Sequence, residues 1–313
     1  QDGENVNVVA VRGNFDDCQS GVKKIFNSEA CVKEIREKGY LLSSANSINF
    51  GRLVPQIAYY FSAYADLLSS EQIEPGTEVD FAVPTGNFGD ILAGYFAKEM
   101  GLPVGRLVCA SNRNDVLTDL LTTGVYDRRR PFYQTLSPSM DILVSSNLER
   151  LLFALSGQDD KLVADYMQQL NKHGGYTVSD EIKAKLKSDF YGGFCSEEET
   201  SKVIAEVWKK YNYLIDPHTA VAYDVMEKYR QETGDTNKTV FVSTASPFKF
   251  CDSVLHSLGV AEVQDGIDAL DQLSQTTNRP APVPLASLRN KAVRFTESVD
   301  KEKMEDVVLE MLK

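Results

Sequence analysis

No apolar run in this chain reaches membrane-spanning length, and no basic stretch followed by an apolar one opens it. The expectation is a cytoplasmic protein with no membrane partner. Cysteine is sparse and unpatterned: Cys18, Cys31, Cys109, Cys195 and Cys251 are odd in number and contain no Cys-x-x-Cys pair. That excludes a disulfide or zinc framework and reads as reduced thiols. Histidine is scarcer still, with His173, His218 and His256 too far apart for a structural metal site, so no metal is expected. Positive charge is outnumbered, 33 Lys and Arg against 45 Asp and Glu, and the net charge of -12 would repel a nucleic-acid backbone. There is no Walker loop, no Gly-x-Gly-x-x-Gly, no Gly-x-Ser-x-Gly elbow and no His-Glu-x-x-His. Repeats and low-complexity segments are absent too.

What is present is an alternation of strand-like and helix-like segments, which predicts an α/β fold: a mainly parallel, doubly wound sheet with helices on both faces. Strands are expected at Val6–Val11, Tyr40–Ser43, Val79–Val83, Arg106–Ala110, Asp141–Val144 and Thr239–Ser243. From Leu53 the apolar residues Ile57, Tyr60, Phe61, Tyr64 and Leu67 recur at helical spacing. Residues 156–210 are charge-rich and carry no strand signal, so they read as a helical insertion. Asp216-Pro217 is a helix start, an N-cap followed by proline at the first position. Lys301–Leu312 reads as a terminal docking helix. The domain reading is residues 1–50 as the remainder of a smaller subdomain and 51–313 as a large α/β domain holding the insertion.

The most informative segment is Val79-Asp80-Phe81-Ala82-Val83-Pro84-Thr85-Gly86-Asn87-Phe88-Gly89-Asp90. A β-favouring run ends at a proline, turns through Gly-x-x-Gly, and enters a helix at Ile91. Strand, glycine turn and helix start aim free N–H groups and the helix dipole at one spot, where an anion, usually phosphate, is stabilised. Thr85 and Asn87 can add side-chain donors. The same spacing also serves tight turns that bind nothing. A second loop, Ser44-Ala45-Asn46-Ser47-Ile48-Asn49-Phe50-Gly51-Arg52, offers neutral donors and an arginine, which suit phosphate or carboxylate; an ordinary capping turn reads the same way. Asp16 and Asp17 read as first-turn acids, Cys18 as an idle thiol, His218 as a packing or capping residue, and Arg128-Arg129-Arg130 as a solvated face, the alternative being contact with a substrate phosphate.

Taken together, Gly13-Asn14-Phe15-Asp16-Asp17-Cys18-Gln19, Ala45–Asn49, Pro84–Asp90, Pro138–Ile142 with Ser146-Asn147-Leu148-Glu149-Arg150, and Asp216-Pro217-His218-Thr219-Ala220-Val221-Ala222 resemble threonine synthase of the longer bacterial and fungal type, in the family's order. The resemblance implies a fold-type II pyridoxal 5'-phosphate enzyme converting O-phospho-L-homoserine and water to L-threonine and phosphate, a monomer or homo-oligomer with a small-molecule substrate. It implies that Thr85, Gly86, Asn87, Phe88, Gly89 and Asp90 hold the cofactor phosphate, with Asp90 also bordering the leaving group. Thr244 would face the pyridine nitrogen, and Asn46, Ser47 and Arg52 would grip the substrate phosphate.

One departure is decisive for activity. The family's Schiff-base lysine lies in a Phe-Lys-Asp segment upstream of the Gly13 motif, and this sequence contains none. Lys249, in Ser-Pro-Phe-Lys-Phe, matches a C-terminal motif instead. The chain is therefore expected to be an N-terminally truncated fragment, inactive alone, with no catalytic residue of its own. The alternatives are another fold-type II enzyme, such as a hydroxy amino acid dehydratase, whose substrates carry no phosphate for Asn46–Arg52 to hold, and a non-catalytic phosphate-ligand binding module.

Overall fold

A computed structural model describes residues 3–13 and 15–312. Its strands among these residues are β1 (Ala10–Arg12), β2 (Val79–Pro84), β3 (Val104–Ser111), β4 (Val125–Asp127), β5 (Gly175–Thr177), β6 (Phe190–Phe194), β7 (Lys238–Phe241) and β8 (Ser298–Asp300). The chain divides into two compact units. One takes the described residues up to Ala45 and those from Ser287 on; the other is Asn46–Ala286.

The larger unit is built on a four-stranded parallel sheet in the order β6-β3-β2-β7. β2 is buried along its whole length, which is why its sequence is a continuous apolar run with Asp80 as the exception. Alternation sorts the rest: Phe81, Val83, Leu107 and Cys109 join one core with Ile91 and Leu92 of the helix Gly89–Glu99, and Ala82, Val108 and Ala110 join a second with Val221, Val225 and Met226 of the helix Pro217–Thr233. Helices therefore cover both faces, as expected of a doubly wound sheet. β4 and β5 form a separate antiparallel pair.

The smaller unit holds the parallel pair β1–β8 and a core in which Ile25, Cys31 and Ile35 pack with Met304, Val308 and Leu309. The C-terminal helix Met304–Met311 thus packs on N-terminal helices, where the sequence placed it in the large domain. Asp17 pairs with Lys301 at 2.9 Å. Asn14, part of the Gly13 motif, lies outside the described residues.

Three further expectations are corrected. Tyr40–Ser43 is not a strand: Leu41 is 80% exposed, and among the described residues no strand pairs with this segment. Asp141–Val144 is irregular because its polar groups are claimed by side chains. The buried Asp141 carboxylate accepts from Asn112, Asn114 and Thr135, and Tyr126 Oη donates to the Leu143 carbonyl at 3.1 Å. Residues 156–210 are not purely helical, since β6 pairs with β3 from Leu107↔Phe190 to Ser111↔Phe194. Gly192 and Gly193 hide this strand in the sequence. The structure needs them: β-carbons there would meet Leu121 Cβ at 2.9 Å and Val225 Cγ1 at 2.7 Å.

Candidate functional site

The glycine turn leaves the carboxyl end of β2. Thr85 extends the strand, its N–H donating to Ala110 O at 2.8 Å, and its hydroxyl donates back to Val83 O at 2.7 Å. Phe88, buried, takes the left-handed conformation (φ 64°) and forms the N-cap of Gly89–Glu99. That reversal breaks the hydrogen-bond ladder. Among the described residues the N–H groups of Gly86, Asn87 and Phe88 donate to no protein group, while Gly89 N–H is taken by Asn87 Oδ1 at 2.8 Å. Asn87 therefore acts locally as an acceptor, where the sequence offered it as a donor.

Two walls press on this turn. A β-carbon on Gly86 would lie 3.0 Å from Met140 Cα and 3.1 Å from Ser139 O. One on Gly89 would collide with the Ser47 hydroxyl. Three consecutive unpaired amides beside a helix N-terminus, reached through a space that any side chain at Gly86 would fill, fit an anionic phosphate group.

The structure brings the second loop to the same place. Asn147, wholly buried, donates from its backbone N–H and from Nδ2 to Asn87 O, both at 3.0 Å, and from Nδ2 to Ser47 Oγ at 3.0 Å. Arg150 then holds the loop backbone: Nη1 donates to Ser47 O at 3.0 Å and to Asn147 Oδ1, and Nη2 donates to Ile48 O at 2.6 Å. Ser145 Oγ donates to Gly86 O at 2.8 Å. Arg52 is exposed, and its guanidinium makes no ion pair among the described residues. Asn46, also exposed, accepts from Ile48 N–H at 3.0 Å, and Asn49 caps the short helix Phe50–Leu53.

Asp90 sits in the first helical turn. The Tyr60 hydroxyl donates to it, its oxygen 2.9 Å from both Asp90 Oδ1 and Asp90 O. Burial pushes the Asp90 carboxyl up, against the pull of that hydrogen bond, and burial followed by the Asp90 charge drives the Tyr60 phenol well above its usual range.

Thr244 lies exposed beyond β7. The register Ala82↔Phe241, continued by Val242 N–H to Ala82 O, sets Ser243 level with Pro84, so Thr244 and the glycine turn leave the same end of the sheet. Ser243 Oγ is 3.1 Å from Thr219 Oγ1. Beneath it Asp216, wholly buried, caps Pro217–Thr233 and accepts from His218 N–H and Nδ1. His218 Nε2 in turn accepts from Ser139 N–H at 3.3 Å, which leaves the imidazole a packing and capping group.

Other charged candidates are committed elsewhere. Arg129 pairs with Asp127, and Arg130 with Asp115 and Asp119. Cys195, Glu199 and Asp224 cluster, but Lys228 Nζ sits 2.9 Å from Glu199 and 2.6 Å from Asp224, so an ammonium already supplies the cation. Lys249 is exposed. Sequence reasoning assigned no role to Ser145, Asn147 or Arg150. Asn147 and Arg150 carried one signal, membership of the Ser146–Arg150 motif, and Ser145 carried none; the partners that bring them to the site, Gly86 O, Asn87 O, Ser47 and Ile48 O, lie 59 to 103 positions away.

A parallel sheet wrapped on both faces, with a glycine turn and a donor loop meeting at the carboxyl ends of its strands, is the architecture of the fold-type II class. Residues 219–308 match the family model "Threonine synthase, C-terminal". The chain is 42% identical over 264 residues to threonine synthase-like 1 of Homo sapiens, covering 84% of this chain and 35% of that protein. It is 37% identical over 324 residues to threonine synthase of Saccharomyces cerevisiae, covering 99% and 60%. The crystal structure of pyridoxal-phosphate-bound threonine synthase from Brucella melitensis superposes with a TM-score of 0.80 at 37% identity, covering all of this chain and 61% of that one. In sequence and in fold the chain is similar to threonine synthases, and it spans between about a third and three fifths of the length of these relatives.

Proposed function

We propose that this chain is the greater part of a threonine synthase, supplying the phosphate-holding machinery for conversion of O-phospho-L-homoserine and water to L-threonine and phosphate in the cytoplasm. The observation that carries the reading is the junction at Asn147, which ties the glycine turn to the Asn46–Arg52 loop through Asn87 O and Ser47 Oγ. One phosphate cradle alone fits many ligands. Two phosphate-suited loops tied side by side fit a phosphorylated cofactor next to a phosphorylated substrate.

In this reading the amides of Gly86, Asn87 and Phe88 receive the cofactor phosphate, and the Gly89 helix dipole adds to their pull. Bound pyridoxal phosphate supplies the electron sink. Thr244 would meet the ring nitrogen with a neutral hydroxyl where a carboxylate would hold a proton on it. Ser47, Asn46 and Arg52 orient the substrate by its phosphate. The exposed guanidinium of Arg52 is free to meet charge that builds on the departing group, so its contribution grows toward the transition state.

No Phe-Lys-Asp segment is present to supply a Schiff base or move protons, so the 313-residue chain alone is expected to be inactive. The test is to titrate pyridoxal phosphate into the 313-residue chain and into a version extended upstream through a Phe-Lys-Asp segment. The expected result is an imine absorbance band and phosphate release only in the latter. Robust threonine formation by the 313-residue chain overturns the claim of inactivity. An extended protein that binds the cofactor yet releases no phosphate overturns the assigned reaction.

A further inference from the structure

We propose that Asn147 and Arg150 are positioning residues that turn the Ser47 hydroxyl into a donor aimed at the substrate phosphate; this rests on the reading above. The argument is one of donors and acceptors. An amide side chain has two orientations, and Arg150 removes one of them: its Nη1 donates to Asn147, so that atom must be the carbonyl oxygen Oδ1. The opposite atom is then Nδ2, which can only donate. It does so twice, to Asn87 O and to Ser47 Oγ, both at 3.0 Å.

Ser47 Oγ consequently plays acceptor toward Asn147. Its proton finds no acceptor on the protein among the described residues. The hydroxyl cannot withdraw to search for one. It is packed over Gly89, in the space a β-carbon would take, and Arg150 holds the Ser47 and Ile48 carbonyls from behind. Ser47 is 9% exposed and Asn147 is fully buried, so water competes weakly for either bond. A buried hydroxyl with its lone pair occupied and its proton unclaimed is prepared to donate to an incoming anion without reorganising. Arg150 itself, its guanidinium bonded to Ser47 O, Ile48 O and Asn147 Oδ1, contributes indirectly.

The experiment is a double-mutant cycle in the upstream-extended protein loaded with pyridoxal phosphate, so that the cofactor already fills the glycine turn. The probe is inorganic phosphate, its dissociation constant measured by calorimetry, with the cofactor absorbance band checking that each variant folds. Ser47→Ala is expected to weaken phosphate binding roughly tenfold to a hundredfold, the range for one hydrogen bond to a charged group. Asn147→Ala is expected to weaken it several-fold, and the double variant no more than Ser47→Ala alone, a strong negative deviation from additivity. Should Asn147→Ala fail to fold, Asn147→Asp keeps the shape and the Arg150 bond but reverses polarity toward Ser47. Its loss is expected to exceed tenfold and to shrink at least fivefold once Ser47 is also alanine. Penalties that simply multiply, or an Asn147 variant that binds phosphate like the unsubstituted protein, overturn the relay while leaving the function intact. A loaded, unsubstituted protein that binds no phosphate overturns the functional reading along with it.

Discussion

Ser47 and Gly89 occupy the same space by turns: the hydroxyl of one fills the position a β-carbon on the other would need. Gly89 begins a helix with ordinary backbone angles, so alanine would be welcome there on propensity alone. Steric exclusion decides instead. Gly89→Ala is expected to cost about 1–3 kcal/mol, the usual penalty for overpacking. It should also push Ser47 away from Asn147. Urea denaturation measures the first effect, and weakened phosphate binding the second. An alanine variant as stable as the parent contradicts the packing described.

Arg52 stands exposed at the end of the donor loop with no ion pair among the described residues. In the active, extended protein, Arg52→Ala is expected to lower kcat/KM by roughly tenfold to a hundredfold, with a substantial share in kcat because charge builds on the leaving phosphate. Steady-state kinetics on O-phospho-L-homoserine check it. A raised KM with unchanged kcat would reduce Arg52 to uniform binding.

At the other end of β2, Asp80 is wholly buried. Its Oδ1 accepts from Arg106 N–H at 2.7 Å, and Oδ2 has no hydrogen-bond partner among the described residues. Burial first, then the nearby Asp235, pushes its carboxyl up to about 6. A raised folded value means the folded state holds the proton more tightly than the unfolded chain. This contribution is therefore complete below about pH 4 and is lost as pH rises through about 6. Asp80→Asn is expected to stabilise the protein at pH 7–8 by about 1–3 kcal/mol and to flatten the stability profile between those values. Urea midpoints across pH test this. A destabilised Asn variant at neutral pH would show that the charge is compensated after all.

Asp216 carries three roles with two oxygens: it caps the helix at His218 N–H, orients the imidazole through Nδ1, and accepts from Thr219 Oγ1 at 2.5 Å. Asp216→Ala strands buried donors as well as removing a cap, and is expected to cost about 2–4 kcal/mol. Thermal melts measure it. A loss below about 0.5 kcal/mol would mean these donors find other partners.

The helix start at Asp216-Pro217 was legible in the sequence because its cause is local, a side chain two residues from the N–H it caps. The helix Ile57–Ser69 was legible for the same kind of reason, since Ile57, Tyr60, Phe61, Tyr64 and Leu67 recur with the helical period. Strand β6 was not. Gly192 and Gly193 weaken any local β signal, and they make sense only against Leu121 and Val225, which the fold delivers from elsewhere. The Asp141 loop failed similarly, since an apolar run looks like a strand until buried side chains claim its polar groups.

The sequence by itself determined the strand, glycine turn and helix from Val79 to Glu99 and the α/β class built around them. Those follow from interactions among near neighbours: apolar period, turn chemistry and cap. Only the tertiary structure decided that Ser47, Asn87 and Asn147 would meet, because Asn147 lies 60 positions from one and 100 from the other. Bonds over such separations are set by the path of the sheet crossovers, and no local energy term records where that path returns.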